Sequence, residues 1–339
     1  MQPSNLIAQS SHDWQSQLRD VVTSRRELLK LLKLSESDVG FSEGACQDFA
    51  LKVPRSFVRR MQPQNPYDPL LLQVLSSAQE MINVPEYHGD PVGENAGPIP
   101  QRGIIHKYHG RVLLIVSSGC AVNCRYCFRR HFPYGDNQNS RRQWTEALKY
   151  IHSNDNIEEV IFSGGDPLVA TDGLLQQLVA EIASIGHVTR LRIHSRLPIV
   201  IPERVTQQLL DAITHPRLQT LMVTHCNHAH EIDDAVTAAL ATLRGHNIIT
   251  LNQAVLLKNI NDSVAAQVAL NRALFAAGTL PYYLHMLDKV QGAAHFDVTE
   301  THALQIMEEV AARLPGYMVP KLVREVAGAD AKIIVNPSI

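Results

Sequence analysis

The sequence predicts an α/β fold in which a partial (β/α)6 barrel follows an N-terminal helical region and precedes a short C-terminal segment. From Arg111 onward, short runs rich in Val, Ile and Leu alternate with longer patterns of helical period. This alternation is typical of a parallel sheet with right-handed crossovers. Six such units at roughly 30-residue spacing favour a barrel-like curl, although an open doubly wound sheet remains an alternative. The first hundred residues lack the alternation.

The N-terminal region, residues 1–100, has helical patterns instead. Residues 13–34 place apolar side chains at helical spacing and predict one amphipathic helix. The stretches PRSFVRRMQP (54–63) and PLLLQVLSSAQEMI (69–82) predict two further short helices. Residues 85–100 are rich in Pro, Gly, Asn and Glu, which favours an irregular connection and a domain boundary near residue 100.

The barrel is predicted over residues 101–298, and the C-terminal segment over residues 299–339. The strand candidates are residues 111–118, 159–164, 190–195, 220–225, 248–257 and 282–287. The C-terminal segment predicts one more helix and then a strand in GYMVPKLVREV. Polar and small residues come directly after the strand candidates. Because sites in parallel α/β folds form at the carboxyl ends of strands, this distribution predicts an active site at that edge.

Composition narrows the class of function. The 339 residues include 31 basic and 33 acidic side chains, with a net charge of -2, and 45% of the residues are hydrophobic. These values are typical of a globular protein. The chain has no excess of basic residues that would favour a nucleic-acid partner. We find no pattern of a signal peptide or a membrane span, so we expect a cytoplasmic location with reduced thiols. The oligomeric state is left open, a homo-oligomer included.

Three of the five cysteines, Cys120, Cys124 and Cys127, follow the first strand candidate with the spacing C-x3-C-x2-C. Three thiolates fall one short of a tetrahedral zinc site, which His131 could complete. They could instead be buried apolar thiols. A third interpretation is a [4Fe–4S] cluster, in which three cysteines leave one iron open for another ligand. The polar flanking residues and the position after a strand favour the cluster.

The stretch SGGDP ends the second strand candidate and contains Ser163, Gly164, Gly165 and Asp166. Glycines have no Cβ atom and allow a ligand to approach the backbone closely. Taken alone, the stretch is a good turn sequence. Its position at a strand end, about forty residues after the cysteines, favours a part in the same site.

Five motifs, in order along the chain, resemble those of the lysine 2,3-aminomutases, which are radical S-adenosylmethionine (AdoMet) enzymes. They are GRVLLIVSSGCAVNCRYCFRR, SGGDPL, RIHSRLPIVIPERV, THCNHAHEI and LNQAVLLKNIND, and the match covers roughly residues 100–332. The resemblance implies a [4Fe–4S] cluster on the three cysteines, with AdoMet chelated to the open iron. It also implies a carbon radical made from AdoMet, and pyridoxal 5′-phosphate (PLP) as a second cofactor.

The resemblance also implies roles for single residues. Arg129 matches the arginine that binds the substrate carboxylate, which a planar guanidinium suits. Arg111 matches an arginine near the PLP phosphate, and Gln253 matches a residue beside the PLP ring. The residues implied on the AdoMet side are Ser163, Gly164, Gly165, Asp166, Ser195, His225 and Asn227, with the ring of Tyr126.

Lys332 is implied as the lysine that attaches PLP covalently. The family has a glycine run before this lysine, of which REVAGADAK keeps only Gly328. Lys321 is the rival, but it comes too early in the order of the motifs. Asp288 and Glu325 match two acids that hold the ε-ammonium of lysine, the second of which is normally Asp. The longer carboxylate of Glu325 moves the ammonium position by about one methylene.

The implied reaction converts L-lysine to (R)-β-lysine. Within the family, the segment FVRRMQPQNPYDPLLLQVL and the early C-terminus resemble those of short bacterial members. Those members supply (R)-β-lysine for the modification of elongation factor P. Direct contact with elongation factor P or its lysyl-ligase is left open. Three alternatives remain: glutamate as substrate, lysine already attached to a protein, and a zinc-stabilised module that partners the translation apparatus. Two acids in the site disfavour an acidic substrate.

Overall fold

The computed structural model describes residues 13–40, 43–94, 103–132 and 141–336. Short helices and a two-stranded antiparallel ribbon occupy the first part. They are α1 (Trp14–Arg19), β1 (Val21–Val22), α2 (Arg25–Leu31), α3 (Glu43–Asp48), β2 (Val53–Pro54) and α4 (Arg55–Val58). The boundary predicted near residue 100 lies outside the described residues.

The single helix predicted for residues 13–34 is wrong. The β-branched pair of β1 interrupts it, because Val22 is fully buried and pairs with Val53 of β2. The helix predicted for residues 54–63 is confirmed in its first part by α4. Residues 69–82 form turns and a 3-10 helix, Ala78–Met81, instead of the predicted α-helix.

Strands and helices alternate through the rest of the described chain. The elements are β3 (Ile104–Tyr108), β4 (Arg111–Ser117), α5 (Arg141–His152), β5 (Glu159–Gly164), α6 (Asp172–Ala183), β6 (Arg190–Ser195), α7 (Leu197–Val200), α8 (Gln207–Ile213), β7 (Gln219–His225), α9 (Asp234–Gly245), β8 (Ile249–Val255), α10 (Val264–Ala276), β9 (Leu280–His285), α11 (Glu300–Arg313), β10 (Lys321–Arg324) and β11 (Ile333–Ile334). Further 3-10 turns lie at Pro167–Val169, Pro202–Arg204, Ala229–Glu231, Ala294–Phe296 and Gly316–Met318.

In the described chain the strands β3 to β11 form one sheet in their order of sequence. Neighbours from β4 to β10 are parallel, whereas β3 and β11 add antiparallel edges. The predicted α/β class with a parallel sheet is therefore confirmed. The six predicted strands match β4 to β9 with ends that differ by at most two residues, and β10 confirms the seventh. The two antiparallel edge strands were not predicted.

The sheet is strongly curved. In a flat sheet β3 and β10 would lie seven strand spacings apart, roughly 34 Å. Instead, Lys107 of β3 forms a 3.1 Å ion pair with Glu325, the residue after β10, and the hydroxyl of Tyr108 also donates to Glu325. The two ends of the sheet therefore face each other across a gap that side chains bridge, as a partial barrel requires.

Side-chain caps fix where the outer helices begin. Thr171, Asp233, Ser263 and Thr299 each accept a hydrogen bond from a backbone N–H in the first turn of the helix that follows. These helices cover the outer face of the sheet and share one apolar core with it. No helix in the described part of the chain is long and apolar enough to cross a membrane.

The N-terminal region belongs to the same core as the sheet, with Leu28 and Phe57 fully buried in it. Polar contacts fix it to the segment after β6. The hydroxyl of Ser56 donates to the carbonyl oxygen of Val200 at 2.6 Å, and Arg60 donates to that of Ile199 at 2.7 Å. The region is thus packed against the barrel, close to the loop that carries the cysteines.

Candidate active site

The curved sheet encloses a cavity of about 590 Å³, a size typical of a small-molecule site. Alternate residues of the strands point into it, as the two-residue period of a strand requires. Sixteen of the seventeen residues that the sequence assigned to the site line this cavity. They are Arg111, Cys120, Cys124, Cys127, Arg129, Ser163, Gly164, Gly165, Asp166, Ser195, His225, Gln253, Asp288, Glu325 and Lys332, together with Tyr126. The exception is Asn227.

The loop after β4 presents the three cysteines at one end of the cavity, which we call the thiol end. The amide of Cys127 donates to the carbonyl oxygen of Cys124 at 3.0 Å, which closes a turn between them. The N-terminal region supports the loop from outside, because the amide of Arg125 donates to the carbonyl of Gln73 at 2.9 Å. The loop conformation therefore depends on residues that are distant in sequence.

Burial makes thiolates costly at the thiol end. It raises the pKa of Cys120 well above its usual value, with a further rise from Cys127. Burial and then Cys124 raise the pKa of Cys127 to about 11. Thiols whose pKa is raised in this way, Cys120 and Cys127, ionise readily only when a multivalent cation shares their charge. The donor set therefore fits an iron–sulfur cluster.

The ring of His131 lies against another part of the chain. Its Nε2 atom is 3.3 Å from the carbonyl oxygen of Gln291. Among the described residues, no three His, Cys, Asp or Glu side chains stand together as ligands of one metal ion. Cysteines of a [4Fe–4S] cluster each bind a different iron, so this arrangement is compatible with a cluster.

The glycines of SGGDP serve backbone packing. Gly164 has a φ of +120°, which favours glycine, and a Cβ atom there would lie 2.3 Å from the carbonyl oxygen of Ser117. A Cβ atom on Gly165 would lie 2.5 Å from the carbonyl oxygen of Gly119. The start of the cysteine loop therefore packs against these glycines, and the approach of a ligand to them from the cavity stays a prediction.

The carboxylate of Asp166 holds the beginning of the next segment. It accepts hydrogen bonds from the hydroxyl of Ser195 at 2.7 Å and from the amides of Arg196, Leu197 and Leu168 at 2.8, 3.1 and 3.0 Å. Burial raises the pKa of Asp166, and these bonds oppose the rise. Four donors from the chain occupy this carboxylate, so a direct contact with AdoMet stays a prediction.

Arg129 is buried and paired. Its Nε and Nη2 atoms donate to the two carboxylate oxygens of Glu94 at 2.7 and 2.8 Å. Its Nη1 atom donates to the hydroxyl of Ser163 at 3.1 Å and to the carbonyl oxygen of Gly164 at 3.2 Å. Sequence analysis missed Glu94, which lies in the irregular stretch 85–100 where no period marks a buried side chain. A substrate carboxylate at Arg129 must therefore share the guanidinium with Glu94 or displace Glu94 from it.

Asn227 is the predicted site residue that the structure places elsewhere. It is fully buried and does not line the cavity. Its amide group donates to the hydroxyl of Tyr126 at 2.7 Å and to Gln73 at 3.1 Å, and its oxygen accepts from the amide of Val255. His225, which does line the cavity, has its Nε2 atom 2.9 Å from the same hydroxyl. Asn227 therefore supports the wall of the thiol end from behind, and its contact with AdoMet stays a prediction.

Lys332 lies at the other end of the cavity, which we call the lysine end. Its ammonium group pairs with Glu325, which also accepts from Tyr108 and Lys107. Burial alone would raise the pKa of Glu325, but these partners lower it to about 2. Glu325 is therefore ionised and satisfied by donors from its own chain.

Asp288 has a different environment, although it lines the same end. Burial and then Glu325 raise its pKa to about 7, and Lys332 opposes the rise. No ion pair to Asp288 is found within the described residues. Of the two predicted acids, Asp288 is thus the one that lacks a cation and gains most from an added ammonium group.

Charged and polar side chains in mid-strand complete the lysine end. The guanidinium of Arg111 lies 4.6 Å from the centre of the Tyr108 ring, and Arg192 pairs with Glu159 at 2.6 Å. Within the described residues, the buried Nε2 atoms of His194 and His285 have no hydrogen-bond partner. Unpartnered buried polar atoms beside cations fit an anionic cofactor with polar ring substituents, such as PLP.

Sequence analysis missed Arg192, His194 and His285. For Arg192 and His194 the signal was present, because the predicted strand RLRIHS alternates polar and apolar residues although both faces of a parallel strand are normally buried. Burial lowers the pKa of His194 well below its usual value and, with Lys332, lowers that of His285 to about 3. Both imidazoles are therefore neutral near pH 7.

Comparison with known proteins agrees with this geometry. The family model described as the Radical SAM superfamily matches residues 114–269. A protein of Escherichia coli (strain K12) named L-lysine 2,3-aminomutase is 51% identical over 324 residues, which cover 95% of this chain and 94% of that protein. A Haemophilus influenzae protein of the same name is 45% identical, with 98% of both chains covered. One from Clostridium subterminale is 30% identical over 96% of this chain and 78% of its own length.

The family match and the donor set point to the same chemistry. Radical SAM enzymes carry a [4Fe–4S] cluster and AdoMet, and three cysteines at the predicted spacing lie together at the thiol end. The relatives align with this chain over nearly its whole length. The chain therefore belongs to the L-lysine 2,3-aminomutase family of radical SAM enzymes and is an aminomutase.

Proposed function

We propose that this aminomutase converts free L-lysine to (R)-β-lysine with PLP as its second cofactor, and that the product serves the modification of elongation factor P. The observation that carries the proposal is the content of one cavity. It combines three thiols and a guanidinium at one end with a lysine amine and an unpaired carboxylate at the other. A diaminocarboxylic acid has matching groups at its two ends.

The residues of the chain bind and orient this substrate. Arg129 provides the fixed cation for the carboxylate, and Ser163 keeps its guanidinium in place. Asp288 accepts the ε-ammonium, because no ion pair to its carboxylate is found in the part of the chain that the structure describes. Glu325 holds the amine of Lys332 at the cavity wall. When bound, the cluster and AdoMet supply a carbon radical, and PLP carries the amino group that migrates.

The form of the substrate follows from the same contacts. Lysine attached to a protein through its carboxyl group has no carboxylate for Arg129. Glutamate has no ammonium for Asp288, and its side-chain carboxylate would meet the negative charge of Glu325. Glutamate leaves the buried Asp288 carboxylate without an added cation, and protein-attached lysine has no carboxylate to share Arg129 with Glu94. Free lysine satisfies both ends.

The link to elongation factor P rests on similarity. The E. coli relative is 51% identical and the match covers 94% of its length, whereas the match covers 78% of the Clostridium protein. The motifs of the short bacterial members support a product that is passed to a protein ligase. The partner in this proposal is functional, and no contact surface is assigned to it.

Anaerobic assays of the reconstituted enzyme test the proposal. Reactions contain AdoMet, a one-electron reductant and one of three substrates: L-lysine, L-glutamate, or elongation factor P that already carries lysine. We expect (R)-β-lysine from free lysine, with turnover that depends on added PLP. Product from glutamate alone would contradict lysine as the substrate, and product from protein-attached lysine alone would contradict the free form. Equal turnover in PLP-free enzyme would contradict PLP as the second cofactor.

A further inference from the structure

A buried polar cluster lies directly behind the thiol end and takes no part in the substrate contacts above. We call it the Arg196 network, and its members are Arg196, Glu231, Gln73, Tyr126 and Asn227. All five side chains are buried. Glu231, Gln73 and Asn227 are fully buried, and Tyr126 and Arg196 are 4% and 6% exposed. A buried charge of this kind requires an explanation, because desolvation makes it costly.

Arg196 connects this network to a cysteine of the site. Its Nη1 atom lies 2.7 Å from the sulfur of Cys124 and 2.7 Å from the hydroxyl oxygen of Tyr126. Its Nη2 atom donates to Gln73 at 2.7 Å and to the carboxylate of Glu231 at 3.0 Å. The guanidinium therefore lies between one thiol and one carboxylate.

The guanidinium cannot easily turn away from the thiol. Asp166 accepts the backbone amide of Arg196 and so fixes the start of its side chain. The rings of Phe57 and Tyr126 lie 5.3 and 5.9 Å from the guanidinium carbon. The side chain is only 6% exposed, and that of Glu231 is fully buried. Both charges are thus held in a medium that screens them weakly.

We infer that Arg196 sets the reduction potential of the iron–sulfur cluster through its contact with Cys124, and that Glu231 moderates this effect from behind. The inference rests on the cluster implied by the family and not on which amino acid is the substrate. A donor to a cysteine sulfur stabilises the reduced cluster, which carries one more negative charge. The electron comes from an external one-electron reductant, and neither Arg196 nor Glu231 gains or loses a proton in the step.

The two charges predict shifts of opposite sign. Arg196→Gln removes the positive charge beside the sulfur, so the potential should become more negative. Glu231→Gln removes the opposing negative charge while one carbonyl oxygen keeps accepting hydrogen bonds, so the potential should become less negative. General loosening of the loop would move both variants in the same direction. The pair of signs therefore separates electrostatic tuning from structural damage.

The test is a redox titration followed by electron paramagnetic resonance on the full-length, anaerobically reconstituted enzyme. The set contains the wild type, Arg196→Gln, Arg196→Lys and Glu231→Gln. Arg196→Lys keeps the charge but not the planar group, so we expect a smaller negative shift than for Arg196→Gln. Iron content and the number of reducible spins per chain are measured for each variant, so that potentials are compared only between loaded enzymes.

Arg204→Gln is the matched control. Arg204 is an equally buried arginine, paired with Asp172 at 2.7 Å and bonded to the carbonyl of Leu168, and its guanidinium lies over the ring of Trp14. Its loss should lower stability and leave the potential unchanged. The inference is overturned if Arg196→Gln and Glu231→Gln keep the wild-type potential or shift it in the same direction. If Arg196→Gln does not load a cluster, an unchanged potential in Glu231→Gln overturns it.

Discussion

The thiol end and the lysine end of the cavity are built in different ways. The thiol end consists of two turns after strands, the cysteine loop and SGGDP, packed backbone to backbone at Gly164 and Gly165. The lysine end consists of side chains from mid-strand positions and of a C-terminal segment that reaches β3 through Glu325. Turns place atoms through backbone geometry, whereas the lysine end places them through charge pairing between distant strands.

This difference suggests that the two ends respond differently to substitution. Changes at the thiol end should act on cluster loading and on fold stability. Changes at the lysine end should act on PLP attachment and on the affinity for lysine, with the cluster left in place. Substitutions at each end test that separation, and the largest effect is expected at the cysteines.

Cys127→Ser should abolish cluster loading. The oxygen is a poorer ligand for iron, and loss of an outer partner alone commonly costs up to about 100-fold in metal affinity or activity. Iron and sulfide per chain, together with β-lysine formation, measure the result. Cys46→Ser is the control, because that sulfur contacts Ser76 away from the cavity. A fully loaded and active Cys127→Ser enzyme would remove the thiol end from the reaction.

Lys332→Ala should lose covalent PLP and at least about 10³-fold in turnover, because the proposed function makes this amine the covalent partner of the cofactor. Borohydride reduction followed by peptide mass spectrometry locates the attachment. Lys321→Ala is the control, since Lys321 lines the same cavity without contacting Glu325. Iron content should stay at the wild-type level in both variants. PLP attached at Lys321 would show that the order of motifs misassigned the lysine.

Asp288→Asn should raise the KM for lysine by about 10- to 100-fold, the range for a lost hydrogen bond to a charged group. Burial raises the pKa of Asp288 to about 7, so the carboxylate is protonated below that pH. The ε-ammonium of lysine stays charged up to about pH 10. The wild-type affinity for lysine should therefore fall as the pH drops from about 8 to about 6.

Asp288→Asn should show a flat pH profile in the same range. The comparison is a titration of KM against pH for both enzymes at constant ionic strength. An equally steep profile in the variant would assign the titration to another group, and an unchanged KM would remove Asp288 from substrate binding.

Gly165→Ala should give the smallest effect, a loss of about 1–3 kcal/mol of stability, because the new methyl group meets the carbonyl of Gly119 at 2.5 Å. Gly173→Ala in α6 is the matched control. A Cβ atom there meets nothing within 4 Å, and alanine in a helix gains about 0.5–1 kcal/mol over glycine. Thermal unfolding of the cluster-free chains measures both. Equal melting temperatures would show that the two turns are not packed as described.

The thiol end was predictable because its signals are local. The spacing of Cys120, Cys124 and Cys127 and the SGGDP turn each lie within a few residues, and both follow strands whose periods are clear. The partners of these motifs were not predictable. Glu94 and Gln73 lie in segments without a clear period, and Gln73 contacts Asn227 over 154 residues of sequence.

The lysine end was predictable only through family motifs. Lys107 and Glu325 are 218 residues apart, and no local pattern shows that the sheet curves far enough to join them. The N-terminal helices were the weakest prediction. Val21 and Val22 pair with β2, which has only two residues and is therefore too short to show the period of a strand in the sequence. Tertiary pairing decided the local structure there.

The alternation in β6 has a consequence for how the chain avoids misfolding. Arg192 and His194 face the cavity, while Leu191 and Ile193 are fully buried in the core on the other side. A slip of one residue in strand pairing would place a guanidinium and an imidazole in the core and two aliphatic chains in the cavity. The polar residues that line the cavity thus also penalise the wrong register, so the same side chains shape the site and fix the pairing of the strand.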